Sequence, residues 1–437
     1  VEVHRKVESL HRFYDDVVIA VSGKFVSTLR DLIQNALDIL SRWAGKCGLG
    51  VNPDKTQLIL FTRKHKIPQL SPIMLKGEAL AISEETKYLG LNIDRKLTWK
   101  SNILERVRKA NLAFYACKRA LGKTWGIKPK VAHWLYTAVV RPILLYGNVV
   151  WWCAMQKKTY SNLLNKVQRS AELAICGVMK TTPSMALDII LHLPPLDLFC
   201  KYSAACSALR LKASSQWRTV THGHSTILDS YTDIPSDCDY HPPILCFERN
   251  FLMKIPSRLE WLEEDPTPNT PVKIYTDGSK MDTGVGSGLF CEELSISESF
   301  KLPDHCSVFQ AEINAIHEAL KWLKINRISS TDICILSDSQ AALRALDAFQ
   351  TTSRSVLRCR QSLNEMAKQY RIILCWVPGH RDIPGNCRAD QLAREGTCMP
   401  DISNFMEIPL ATCKLLIKDA LISSANQRWF SVKTCEI

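Results

Sequence analysis

"VKIYTDGSKMDTGVGSGLF" occupies residues 272–290 and decides how the C-terminal third of the chain folds. "VKIYTDGS" reads as a β-strand that ends in a turn, with Asp277 at the strand end. "GVGSGLFCEELSISESFKL" (284–302) continues with small and alternating residues suited to two further antiparallel strands. Beyond it, "SVFQAEINAIHEALKWLKI" (307–325) has the spacing of a helix. "DICILSDS" (332–339) is a strand, "QAALRALDAF" and "VLRCRQSLNEMAKQY" are helices, "RIILCWVPGH" (371–380) is a strand, and "NCRADQLAREG" (386–396) is a closing helix. The order βββαβαβα, with one additional helix before the last strand, predicts an α/β unit over 271–397. Its architecture would be a mixed five-stranded sheet flanked by helices.

Four acids hold informative positions in this unit: Asp277 and Asp338 at strand ends, Glu312 in the first turns of a helix, and Asp390 inside the last helix. Strand ends can lie side by side and helix residues can lean over them, so one pocket would gather four carboxylates. Such a cluster is electrostatically untenable without cations. Hard oxygen donors favour Mg²⁺ or Mn²⁺ over zinc. A pair of such ions about 4 Å apart activates water and stabilises the leaving oxygen of a phosphodiester. His380, on a Pro-Gly-His turn ten residues before Asp390, is placed to relay protons or help eject product. The glycines at 284, 286 and 288 form GxGxG with more strand after them, so they do not suit a dinucleotide site. A hairpin that lets a nucleic-acid backbone approach closely is the expectation.

Taken together, "YTDGSKMDTGVGSGLF", "FQAEINAIHEAL", "ILSDSQAAL" and "WVPGHRDIPGNCRADQLAREG" resemble type 1 ribonuclease H across roughly residues 271–397. The resemblance implies Mg²⁺-dependent, two-metal cleavage of the RNA strand of RNA–DNA hybrids, leaving a 3′-hydroxyl and a 5′-phosphate. It makes Asp277, Glu312, Asp338 and Asp390 the metal-binding catalytic acids and gives His380 an auxiliary role. Ser339, Gln340 and Asn386 match positions that face the hybrid.

The rest of the chain is consistent with a polyanionic partner. The 437 residues are enough for two or three domains, with a net charge of +13 and a pI of about 9.0. From Arg95 to Lys130, eleven Lys/Arg stand against Glu105 alone, interleaved with Trp99, Phe114, Tyr115 and Trp125, a pattern suited to a nucleic-acid backbone. The seventeen cysteines show no CxxC spacing and sit in apolar segments, as buried thiols of a reducing compartment would. The N-terminus has no signal-peptide pattern, and "WLYTAVVRPILLYGNVVWW" (134–152) is interrupted by Arg141, Pro142 and Asn148. That stretch reads as two buried helical pieces bent at Pro142 rather than a membrane span. Residues 216–270 are polar and proline-rich and read as a linker, with exposed histidines at 222, 224 and 241. No motif is legible in the tail, 398–437. An intracellular, nuclear or cytoplasmic, location follows from the partner.

"HRFYDDVVIA" (11–20) opens the chain with adjacent acids, Asp15 and Asp16, before an apolar run. With "GLGVNPDKTQLILFTRK" and "KYLGLNIDRKLTW" it resembles the C-terminal part of a reverse-transcriptase palm from a non-LTR retrotransposon. "YGNVVWW" and the segment 167–198 resemble the region joining polymerase and ribonuclease H in Jockey- and R1-like elements. The implied layout is a partial palm over 1–97, a mostly helical thumb or connection region over 98–215, the linker, the ribonuclease H unit and the tail. Phe13 and Tyr14 replace the first two residues of the usual Tyr-Ala-Asp-Asp. The partner palm strand and fingers of a polymerase would lie upstream, so Asp15 and Asp16 read as a vestigial motif in a truncated polyprotein that begins with Val. Two rival readings are a non-catalytic nucleic-acid-binding relic and a reverse transcriptase that works only with a partner supplying the missing parts.

Overall fold

A computed structural model describes residues 7–13, 16–62, 64, 71–119, 126–217, 223–231, 238–263, 265–379 and 383–431. The chain divides into two compact units, Val1–Asp197 and Leu198–Ile437.

In the first unit, strands Val7–Phe13 and Asp16–Val21 pair antiparallel with Phe13 opposite Asp16, and the helix Val26–Lys46 follows. Tyr14 and Asp15 lie outside the described residues. The stretch before Trp99 is a hairpin, Glu85–Tyr88 against Leu91–Asp94, turned by Leu89 and Gly90, both at positive φ. Helices Lys100–Lys118, Lys158–Cys176 and Ser184–Ile190 enclose a core that includes Ile103, Leu144, Trp151, Leu164 and Leu187. The Tyr136 hydroxyl donates to Gln168 Oε1 (2.9 Å), whose amide donates to Asp188 (3.0 Å).

The break in the apolar stretch is not at Pro142. A helical run from Pro129 to Leu144 turns by 54° into Asn148–Gln156, and Gly147 at φ +65° makes the corner. A wide π-turn over Tyr136–Val140 precedes the proline, so the run is carried past a residue that has no N–H to donate. No single helix among the described residues is long and apolar enough to cross a membrane.

The second unit is built on a mixed sheet of six strands rather than five. Their order is Leu252–Lys254, Arg371–Trp376, Asp332–Ser337, Val272–Met281, Gly284–Cys291, Ile296–Leu302. The first four run parallel and the last two are antiparallel additions. Side-chain alternation sorts the two faces. Ile333, Ile335, Ile372 and Leu374 enter the core under helices Val308–Asn326, Gln340–Asp347 and Arg354–Met366, while Cys334, Leu336, Ile373 and Cys375 form a cluster on the other face. Helix Pro384–Thr397 covers the antiparallel strands on that other face.

Two stretches without legible motifs turn out to be structural. Leu252–Lys254, from the supposed linker, is the edge strand. Asp239, from the same stretch, is buried and accepts hydrogen bonds from Ser355 N (2.8 Å), Ser355 Oγ (2.9 Å), Ser353 Oγ (2.9 Å) and Gln310 Nε2 (3.1 Å). One carboxylate therefore ties together the N-termini of two helices, where the backbone N–H groups favour negative charge. His241, expected exposed, is buried with its ring nitrogens on the carbonyls of Pro242 and Ser353. The tail contributes Glu407, which pairs with Arg358 (2.8 Å), and the helix Leu410–Ser431. Replacing Asp239 with Ala strands four donors, so we expect the second unit to lose about 3 kcal/mol, read as a lower urea midpoint at unchanged slope.

Candidate active site

The sheet register creates the site. Thr276 opposite Ser337 is the last parallel pair between the strands Val272–Met281 and Asp332–Ser337. The next residues along the two strands are Asp277 and Asp338, so both acids emerge side by side where the parallel ladder stops. Asp277 is therefore not at the end of its strand, as the sequence suggested. It lies mid-strand, at the point where its neighbour ends.

Glu312 arrives from the helix Val308–Asn326. Ser307 and Gln310 form a reciprocal cap on that helix. The helix packs so tightly on the strand at Gly278 that an added Cβ would lie 2.7 Å from Ala311 C, and only glycine admits this approach. The Gly278 amide and the Ser337 hydroxyl hydrogen-bond to the Glu312 carboxylate, but its Oε2 is buried without a partner.

Asp277, Glu312 and Asp338 each offer a carboxylate oxygen, and these atoms lie within 4.8 Å of one another. Three full charges at that spacing repel by roughly 3–4 kcal/mol per pair at an effective dielectric near 20. The sum rivals the whole stability of a domain, about 5–15 kcal/mol, so without cations the cluster must hold protons. Accordingly, burial and then the charges of Asp338 and Asp390 push the Asp277 carboxyl up to about 7. Burial, then Asp277 and Asp338, push Glu312 well above the usual carboxylate range. The donor set is oxygen only, with one buried oxygen unpartnered, which suits a hard divalent cation.

Asp390 is not among the three. It stands half-exposed on helix Pro384–Thr397, close enough to Asp277 to raise its pKa, and pairs with Arg394 (2.8 and 3.1 Å). Sequence reading missed Arg394 as this counter-charge, although its i,i+4 spacing from Asp390 signals it. The glycines of the 284–288 pattern also differ from expectation. Gly286 and Gly288 face helix Pro384–Thr397, where added Cβ atoms would lie 2.6 Å from Thr397 N and 2.5 Å from Ala393 N. They admit the backbone of a helix, not of a nucleic acid, and this contact seats Asp390 over the sheet. At the helix start, Gly385 sits on the Tyr275 ring.

The remaining candidates that are described differ in what they engage. Ser339 spends its hydroxyl on the N-cap of helix Gln340–Asp347, accepting from Ala342 N (3.3 Å). Gln340 Oε1 accepts from Arg344 (3.3 Å). Asn386 is buried with Oδ1 unpartnered. His380 lies outside the described residues. In the first unit, Arg95 and Arg106 of the basic run are buried, Arg106 donating to the Gly90 carbonyl (2.6 Å). Lys100, Arg108, Lys118 and Arg119 remain exposed.

Residues 269–398 match the family model described as RNase H. The C-terminal part of this chain is an RNase H domain. The chain as a whole has relatives among the polyproteins of R1- and jockey-type retrotransposons. One, from Nasonia vitripennis, is a retrovirus-related Pol polyprotein from type-1 retrotransposable element R1, 24% identical over 44% of this chain and 58% of its own length. Another, from Drosophila melanogaster, is a probable RNA-directed DNA polymerase from transposon BS, 28% identical over 42% of this chain and 20% of its own. A third is the RNA-directed DNA polymerase from mobile element jockey of Drosophila funebris, 26% identical over 38% of this chain and 18% of its own. The chain thus matches little more than half of the first and about a fifth of the others. Five of the RNase H domain's strands and its buried acidic triad lie within the matched segment, while the edge strand Leu252–Lys254 lies before it.

Proposed function

We propose that the RNase H domain hydrolyses the RNA strand of RNA–DNA hybrids using two divalent metal ions, Mg²⁺ first with Mn²⁺ as a substitute. The observation that carries this reading is the convergence of Asp277, Glu312 and Asp338 within 4.8 Å. When bound, such ions supply Lewis acidity toward the phosphodiester and lower the pKa of water. Asp277, Glu312 and Asp338 would hold them, with Asp390 as a fourth ligand once it exchanges Arg394 for a metal. Gly278 and Ser337 orient Glu312 through one hydrogen bond each, leaving Oε2 for the cation. Ser339, Gln340 and Asn386 face the hybrid, and His380 assists turnover, by resemblance. Residues 1–97 correspond to part of a reverse-transcriptase palm and 98–215 to a thumb or connection region, a reading supported by the polymerase names of the relatives.

Asp338→Asn tests the assignment. It removes charge and little volume, and leaves the backbone carbonyl that accepts from Trp376 Nε1 (3.0 Å) untouched. We expect hybrid cleavage to fall by about 100-fold or more at unchanged circular dichroism. A variant that cuts like the wild type would refute the role of this acid.

A further inference from the structure

The edge strand Leu252–Lys254 runs parallel to Arg371–Trp376, which in turn runs parallel to Asp332–Ser337. All three strands therefore leave the sheet at the end where Asp338 stands. The segment just after the edge strand, residues 257–263, is delivered beside the acids. It precedes the RNase H match, which begins at residue 269, and the family likeness says nothing about it.

The segment is built, not slack. Ser257 N donates to Glu260 Oε2 and Glu260 N donates to Ser257 Oγ, a reciprocal cap that starts the turn Glu260–Glu263. Trp261 on that turn packs against the clusters of both sheet faces. Arg258, exposed, makes no hydrogen bond or ion pair with a described residue. Arg258, Trp261, Trp376, Pro378 and Gly379 line a cavity of about 230 Å³. The cavity adjoins the acids directly. Trp376 donates its indole N–H to the Asp338 carbonyl, and a Cβ on Gly379 would lie 2.8 Å from Asp338 Oδ2.

We propose that this cavity receives an unpaired nucleotide adjoining the hybrid, its base against Trp261 and its phosphate at Arg258. The proposal rests on the hybrid-nuclease reading of the neighbouring acids. Bases inside a duplex have both faces covered by their neighbours, and an end pair shows a free face only as a whole base pair, so the form that enters a cavity of about 230 Å³ is a single unpaired base. An arginine that pairs with no described residue, beside an aromatic wall, matches a phosphate next to a base. The preferred substrate is then a hybrid that continues into a single strand, not a blunt one.

The test uses the full chain with a blunt RNA–DNA hybrid and the same hybrid carrying a short single-stranded extension at each end in turn. Cleavage rates and anisotropy-based binding are read separately. We expect the wild type to favour one extended hybrid by roughly tenfold through KM, with the preference shrinking as salt rises. Arg258→Gln should reduce that ratio toward one, and Trp261→Phe, which keeps an aromatic face, should preserve most of it. Equal handling of blunt and extended hybrids by the wild type overturns the proposal, as does an undiminished preference in Arg258→Gln. If no hybrid is cut, the nuclease reading fails while the binding ratio still decides the cavity. A ratio of one there overturns the proposal too.

Discussion

Glu312→Gln should abolish cleavage and at the same time stabilise the metal-free protein. Both effects have one cause. Glu312 is only 5% exposed, and its carboxylate is held against those of Asp277 and Asp338. As a charged group it costs desolvation and repulsion, which is why its pKa is raised well above the usual range. A neutral amide of nearly the same shape removes that cost and can donate to the two aspartates. It also removes a proposed metal ligand, so we expect turnover to drop by about 100- to 1,000-fold. The unfolding midpoint in EDTA at pH 8 should rise above that of the wild type. A variant that is both inactive and less stable would mean that Glu312 is a structural acid whose loss breaks the fold. The measurement is a paired one, with hybrid cleavage in Mg²⁺ and urea unfolding in EDTA on the same preparation.

The second large effect is a stability that falls with pH and is restored by metal. Asp277 titrates near 7 in the folded chain against an ordinary 3.8. Between those values the native state holds a proton that the unfolded chain has lost. The unfolding free energy therefore decreases as pH rises through this window, and the stabilisation present below about pH 4 is gone above about 7. Glu312 is shifted in the same direction and adds to the slope. The combined effect is on the order of a few kcal/mol. On the two-metal reading, Mg²⁺ would bind the deprotonated native cluster and not the unfolded chain, adding about 2.7 kcal/mol at a hundred times its dissociation constant. Thermal melts in EDTA should drop from pH 5 to pH 8, and Mg²⁺ should raise the pH 8 melt more than the pH 5 melt. Asp277→Asn should flatten both dependences. A metal-free melt that climbs over this range would contradict the raised acids.

The elements that position the triad were legible because each carries a local signal. Strands 332–337 and 371–376 hold unbroken apolar runs at 333–336 and 372–376, and Val308–Asn326 has helical spacing behind a serine cap. Two acids side by side where the parallel ladder stops are a simple consequence of register, with Asp338 past its strand end and Asp277 inside its own strand. The parts that escaped reading carry no such signal. Leu252–Lys254 is three residues long and acquires its identity only by pairing with a strand more than a hundred residues away. Asp239 is one acid in a polar loop, and its role as a clamp exists only once helices from 307 and 353 have converged on it. Gly286 and Gly288 announced a close approach but not by what, and the answer was a helix a hundred residues downstream. Prolines and polar residues made 216–270 look like a tether because composition reports solvation, not partners.

The most direct test of the hybrid-nuclease reading is a time course of RNA cleavage by the full chain on an RNA–DNA hybrid labelled in the RNA strand. It is run in Mg²⁺ and in EDTA, with the same RNA paired to RNA as the comparison. We predict cutting of the hybrid RNA in Mg²⁺, little cutting of the RNA duplex, and none in EDTA. Hybrid left intact in Mg²⁺ by protein that melts cooperatively would contradict that reading, and so would cutting that survives EDTA.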